Sequence, residues 1–303
     1  MLRTMKTGRI AGRDVARVGF GAMQLGELPG RPAVDRATAI DVVRTAVELG
    51  VNHIDTAAFY GPGTANEVLR EALSPYGDDL LLVTKVGAVY QGEGRVLAQR
   101  PEQLRAQVED NLRGLGVDQV GVVNIRSVQH GLRGGFAVPA DQIADLDDQL
   151  AELIALRDEG KIGAIGLSSV DSGQLRRALP AGIVCVQNFY NLLHRADHPV
   201  LELCRENGIA WVPFFPLGSA TSEHRNVLAE PTVLDVAARL RGTPAQVGLA
   251  WLLAHDPSTL LIPGTASVGH LRENVAAAFV ELDDSAMAVL DGLVPDARSD
   301  ERK

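Results

Sequence analysis

Apolar positions along this chain fall into two alternating rhythms, a helical one of three and four residues and short β-rich runs, with a glycine marking the change. The unit is plainest in ELG-VNHID, DEG-KIGAIGLSS and ENG-IAWVPFF. Ahead of Gly50, Val42, Val43, Ala46 and Val47 share one helical face, and ahead of Gly160 the set is Leu146, Leu150, Leu153 and Ile154. Glycine accepts the left-handed conformation that ends a helix, so each helix is predicted to stop there and feed a strand. Five further runs have strand character: ARVGFGAM near 16–23, LLLVTKV at 80–86, VGVVNI at 120–125, IVCVQNF at 183–189 and TLLIPGT at 259–265. Helical patterns intervene at about 64–73, 101–114 (opened by Pro101, with Leu104, Val108 and Leu112 on one face), 171–179, 199–207 and 243–254. Eight strands alternating with helices predict an α/β chain folded as a (β/α)8 TIM barrel. A doubly wound sheet would show a GxGxxG turn after its first strand, and none follows ARVGFG. The opening MKTGRIAGRDV alternates around a glycine and predicts a β-hairpin that closes the bottom of the barrel.

Composition narrows the class of partner. The 303 residues, 46% of them apolar, hold enough material for one large core, and no Ser/Pro-rich linker divides them, so residues 1–303 read as a single domain. With 29 Lys and Arg against 38 Asp and Glu the net charge is −9, which repels phosphate backbones and leaves a small molecule as the expected partner. No apolar run is long enough for a bilayer crossing, and MLRTMKTGRIAGRD lacks the apolar middle of a signal peptide, so the expected location is the cytoplasm, with no membrane partner. Cys185 and Cys204 are too few for a disulfide framework or zinc site and are expected to be packed, reduced thiols. His53 reads as an interior residue, His130 has no partner at metal-ligand spacing, and no metal is assigned.

In a barrel of this kind, side chains fill the interior and chemistry sits at the C-terminal ends of the strands. Asp55 ends VNHID, Lys85 nearly ends LLLVTK, Arg126 follows VGVVNI, Ser168 and Ser169 end IGAIGL, and Gln187 comes late in IVCVQ. Singly, each reads as a solvated or capping polar residue; five strands delivering polar groups to one mouth read as a site. Tyr60 lies in the loop DTAAFYGPG, ahead of Thr64 and Glu67, whose spacing suits a capping box for the next helix. The phenol is either a lid residue or a proton donor. A phenol, with pKa about 10, is a sluggish acid at neutral pH until a cation stabilises its phenolate. Lys85 can supply the cation and Asp55 can orient it, which is the equipment that reduction of a carbonyl by hydride requires.

The motifs GFGAMQLG, NHIDTAAFYG, LLVTKVG, IGLSS, VQNFYN, PFFPLG and IPGTASVGHLREN together resemble the aldo-keto reductases over nearly the whole chain, and NHID with VVNIR and VPFFPLG is most similar to bacterial members allied to pyridoxal reductase. The resemblance implies a (β/α)8 fold, a nicotinamide cofactor, and a catalytic Asp55, Tyr60 and Lys85. Its fourth catalytic position, normally His, falls on Arg126, which cannot exchange protons near neutrality but can donate to a carbonyl oxygen; a salt bridge to a loop carboxylate is the alternative. The cofactor contacts it implies are Met23, Asp55, Ser168, Ser169 (usually Asn), Gln187, Phe214 (usually Tyr, with core packing as the alternative), Leu217 and Ser219. For the adenosine phosphate they are Gly264 (often Lys), Thr265, Ser267, His270 (often Arg), Arg272 and Asn274. NADPH is the implied cofactor and NADH the alternative. The expected activity is reduction of aldehydes, pyridoxal among them; the alternatives are oxidation of an alcohol or sugar by the same residues, and a non-catalytic nicotinamide-binding regulatory subunit.

Overall fold

The computed structural model describes residues 5–26, 33–61, 63–91, 94–127, 142–218 and 226–293. A hairpin comes first: β1 (Thr7–Ile10) pairs antiparallel with β2 (Arg13–Ala16), with Gly8 opposite Val15. Its two-residue turn, Ala11 and Gly12, has φ of 51° and 76°, the left-handed pair whose twist matches that of the flanking strands. Next come β3 (Phe20–Gly21), α1 (Arg36–Glu48), β4 (His53–Asp55), α2 (Thr64–Leu73), β5 (Leu81–Val86), a second hairpin of β6 (Ala88–Gln91) and β7 (Gly94–Leu97), α3 (Pro101–Leu115), β8 (Val120–Arg126), α4 (Leu146–Asp158), β9 (Ile162–Ser168) and α5 (Ser172–Ala178). The chain continues through β10 (Ile183–Gln187), α6 (His198–Glu206), β11 (Ala210–Trp211), α7 (Pro231–Leu240), α8 (Pro244–His255), α9 (Val268–Ala276) and α10 (Asp284–Asp291). None of the described helices is long and apolar enough to cross a membrane.

Seven strands form one parallel sheet in the order β11-β10-β9-β8-β5-β4-β3. The eighth predicted strand, 259–265, is not a regular strand. It nevertheless bonds both edges: Leu260 N donates to Trp211 O (2.8 Å), Leu261 N to Arg17 O (2.8 Å), and Gly19 N to Leu261 O (2.7 Å). Two local facts explain the irregularity. Pro263 has no N–H for the ladder, and Gly21 and Gly264 meet backbone to backbone, a Cβ on Gly264 lying 2.7 Å from the Gly21 oxygen. The sheet therefore closes on itself as the sequence pattern predicts.

Alternation along the strands separates two apolar regions. Val83, Val122, Ala164, Cys185, Ala210, Val212, Leu260 and Ile262 fill the interior, together with Leu81 at the start of β5 and Ile10 and Val15 of the hairpin, which plugs the bottom. Leu82, Val86, Val123 and Ile125 face the helices instead. Both cysteines are buried and free, and burial raises both thiols, Cys204 to about 12, which leaves them inert at neutral pH.

Several sequence expectations are corrected. Val47 is 40% exposed, because the buried stripe of α1 runs through Ala39, Val42, Val43 and Ala46 and the next residue has turned outward. No Thr64/Glu67 capping box forms: Gly63, at φ 83°, is the N-cap and Thr64 is already helical. Backbone carbonyls of the preceding loop serve the first amides instead, Ala65 N donating to Tyr60 O (3.3 Å). The hairpin β6–β7 and helices α7 and α10 were not expected. Residues 128–141, His130 among them, 219–225 and 294–303 lie outside the described residues.

His53 shares the inward side of β4 with Asp55 and lies directly under Gly19, where a Cβ would come within 2.3 Å of the imidazole. Burial disfavours its charged form and pushes it down to about 4, against a weak opposing pull from the Ala16 backbone. Between that value and the ordinary 6.5, the unfolded chain binds a proton that the folded chain refuses, so stability rises with pH across this window. Chemical denaturation is expected to show unfolding free energy about 2 kcal/mol lower at pH 5 than at pH 7 from this residue, and His53→Leu is expected to flatten that slope.

Candidate active site

The C-terminal ends of β4 and β5 lie side by side, Asp55 opposite Val83, so Asp55 and Lys85 both point into the barrel mouth. Lys85 Nζ donates to Asp55 Oδ1 and, at 3.4 Å, to the Thr56 carbonyl. The second carboxylate oxygen accepts from Gln187 Nε2 at 2.7 Å, reaching across from β10. All three side chains are buried. Removing an ammonium from water disfavours its charge, but the Asp55 carboxylate and the Tyr60 oxygen outweigh that cost, and Lys85 holds its proton more tightly than an ordinary lysine. A buried carboxylate with a donor on each oxygen and a cation against it is a satisfied pair.

Tyr60 comes over this pair from the loop after β4. Lys85 Nζ lies 5.1 Å from the centre of its ring, Phe59 meets the ring edge-on at 5.3 Å, and the phenol is only 8% exposed. The turn after β3 holds the loop from the other side: a Cβ on Gly26 would fall 2.5 Å from the Tyr60 carbonyl, so only glycine permits this approach. Asp55, Tyr60 and Lys85 are thus brought together.

Around them the other sequence candidates spread along the same mouth. Arg126 ends β8 half-buried, opposite Ser168 in register, and its carbonyl accepts from Gln99 Nε2 at 3.1 Å. Ser168 ends β9, buried, and Ser169 follows at φ 60°, its amide donating to Gln187 O at 2.9 Å. Among the described residues, Gln187 Oε1 is buried without a hydrogen-bond partner. Phe214 is half-buried, stacks on Phe189 at 6.0 Å and 12°, and meets Phe215 at 5.4 Å and 85°. Met23, in the turn after β3, and Leu217 are half-buried against the core. Ser219 lies outside the described residues.

The segment after the closing strand leads into α9. Ser267 is its N-cap, accepting from His270 N at 3.4 Å, and Thr265 Oγ1 accepts from Ser267 N at 3.1 Å. Each hydroxyl oxygen therefore accepts from a backbone amide at the start of α9, and a helix N-terminus is a place where anions bind favourably. His270 and Arg272 are exposed beside it, whereas Asn274 is buried. Gly264 is glycine for a reason of packing, since a Cβ there meets the Gly21 oxygen.

Sequence reading missed Gly26, Gln99 and the buried pair Asn66 and Asn111. The last two carried a signal: Asn111 stands three residues after Val108 and four before Leu115, in phase with the buried stripe of α3, and Asn66 adjoins buried Ala65 in α2.

Comparison with known proteins follows the same lines. The model of the aldo/keto reductase family matches residues 17–295. The chain is 47% identical over 285 residues to pyridoxine 4-dehydrogenase of Escherichia coli strain K12, covering 93% of this chain and 96% of that protein. It is 28% identical to the NADH-specific methylglyoxal reductase of the same organism, covering 89% and 92%. The crystal structure of an aldo-keto reductase from Klebsiella pneumoniae in complex with NADPH superposes with a TM-score of 0.79 at 25% identity, covering 98% of this chain and 97% of that one. A family match across nearly the whole chain, on a closed parallel sheet with Asp55, Lys85 and Tyr60 gathered at its mouth, leaves one conclusion: the chain belongs to the aldo/keto reductase family of oxidoreductases.

Proposed function

We propose that the chain is an NADPH-dependent reductase of aldehydes, with pyridoxal-type aldehydes among its substrates. The observation that carries this is the buried Asp55–Lys85 pair beneath the Tyr60 ring. The fit of a nicotinamide rests on Gln187 Oε1, a buried acceptor that lacks a donor among the described residues; a carboxamide N–H supplies one, with Ser168 and Ser169 beside it and the half-buried Phe214 ring as the stacking partner. NADPH, when bound, supplies the hydride. Its phosphate would be held by the α9 N-terminus with Thr265, Ser267, His270 and Arg272.

The remaining work belongs to the protein. Tyr60 gives its proton to the carbonyl oxygen as charge develops there, Lys85 stabilises the phenolate left behind, and Asp55, held by Gln187, keeps the ammonium charged and aimed. Arg126, in place of the histidine common in the family, favours aldehydes with an anionic oxygen next to the carbonyl, as in pyridoxal, because a planar guanidinium binds both oxygens at once. Because proton transfer through Tyr60 is reversible, the same site also permits alcohol oxidation, and the name of the 47% identical relative, pyridoxine 4-dehydrogenase, supports this direction as a second reading. The intact Asp55, Tyr60 and Lys85 argue against a purely regulatory subunit.

The test is a panel of pyridoxal, aromatic aldehydes, methylglyoxal and simple sugars with NADPH and NADH, run on the unmodified enzyme and on Arg126→His. NADPH-dependent turnover of aldehydes is expected, and Arg126→His is expected to lower kcat/KM for pyridoxal about tenfold more than for neutral aldehydes. Equal changes across the panel would remove the role given to Arg126, and no turnover with any aldehyde would remove the function.

A further inference from the structure

On the outer side of the barrel wall, under helices α2 and α3, lies a buried polar chain that the reaction does not touch. Thr56 Oγ1 donates to Asn66 Oδ1 (2.8 Å), Asn66 Nδ2 donates to Asn111 Oδ1 (3.0 Å), and Thr84 Oγ1 donates to that same Asn111 oxygen (2.7 Å). Asn111 Nδ2 ends the chain on the Gln107 carbonyl (2.8 Å). None of the four side chains is more than 1% exposed. The buried residues that share the inner stripes of α2 and α3 with them, Ala65, Val68, Leu69, Leu104, Val108 and Leu115, are apolar, and such a layer packs without polar groups. A fully satisfied polar network in that setting specifies one geometry where apolar packing tolerates several.

Its placement indicates which geometry is specified. Thr56 follows Asp55, and Thr84 precedes Lys85; alternation along the strands turns the ion pair inward and the threonines outward. Thr56 N also donates to Val83 O at 2.8 Å, and the Thr56 carbonyl accepts from Lys85 Nζ itself. Asn66 belongs to the first turn of α2, where the neighbouring Ala65 amide holds the Tyr60 carbonyl. Gly114 of α3 presses against Asn66, its absent Cβ being 3.3 Å from the Asn66 Cβ, which restricts movement of the network from the outside. Three backbone segments, one for each of Asp55, Tyr60 and Lys85, are therefore pinned to one another through four side chains.

We propose that Thr56, Asn66, Asn111 and Thr84 are positioning residues that fix the spacing of Tyr60 over Lys85 and so set the rate of proton donation. The inference rests on Tyr60 being the acid. Thr84→Val keeps the shape and β-branching of the side chain and leaves Asn111 Oδ1 its bond from Asn66, so the fold is minimally disturbed. In the purified enzyme it is expected to lower kcat about tenfold, with KM and cofactor affinity unchanged and the basic limb of the kcat–pH profile moved upward. Thr84→Ser is expected to restore both. Thr56→Val, at the far end of the chain, is expected to act in the same direction and serves in its place if Thr84→Val does not fold.

A variant that loses thermal stability but keeps kcat and its pH profile overturns the proposal and leaves the network purely structural. Tyr60→Phe, measured alongside, separates the two readings. If it retains turnover, the acid assignment and this inference both fall; if it is inactive while Thr84→Val and Thr56→Val behave like the unmodified enzyme, only the network's role falls.

Discussion

Tyr60→Phe is expected to slow aldehyde reduction by about 10²–10⁴-fold, the usual contribution of a positioned general acid. The change removes one oxygen and leaves the ring that packs against Phe59 and lies over Lys85. Stability and nicotinamide binding should therefore survive, the latter checked by quenching of the buried Trp211 and Trp251 on titration with NADPH. Turnover close to that of the unmodified enzyme would refute the acid assignment.

Lys85→Met is expected to abolish activity and also to destabilise the fold by about 3–5 kcal/mol, because it leaves the Asp55 carboxylate buried with Gln187 as its remaining side-chain donor. The sign with pH follows from which form burial tolerates. Without its cation, an ionised carboxylate at this depth is left uncompensated, so protonating it relieves the strain and ionising it costs stability. The deficit of Lys85→Met should consequently be larger at pH 8 than at pH 5 in chemical denaturation. The double variant Lys85→Met/Asp55→Leu should recover most of the lost stability and none of the activity. A single variant as stable as the parent at pH 8 would show that Asp55 does not depend on this cation.

Much of this architecture was legible because barrel strands and amphipathic helices write different periods. The units ending at Gly50, Gly160 and Gly208 placed β4, β9 and β11 closely, and the polar residues closing the first two runs, Asp55 and Ser168, marked the mouth. What escaped had a physical reason in each case. The closing segment reads as a strand in TLLIPGT, yet Pro263 and the Gly21/Gly264 contact reduce it to single bridges. Thr64 and Glu67 have the spacing of a capping box, but the loop's own carbonyls had already taken the first amides of α2. Asn66 and Asn111 resemble solvent-facing helix residues unless Asn66 is phased against Ala65 and Leu69 of α2 and Asn111 against Val108 and Leu115 of α3, which places both on the inner stripes. Side-chain pairings across the barrel, such as Gln187 with Asp55, join residues 132 positions apart and leave no local mark.

The irregular closing segment bears on how this protein could resist denaturation. Single backbone bridges at Thr259 and Leu261 join the last edge to the first, so this join is the thinnest part of the wall, and the chain runs from it straight into the turn before α9. A dinucleotide gripping that turn would act as a clasp across the join, so that tightness of cofactor grip and resistance to melting rise together.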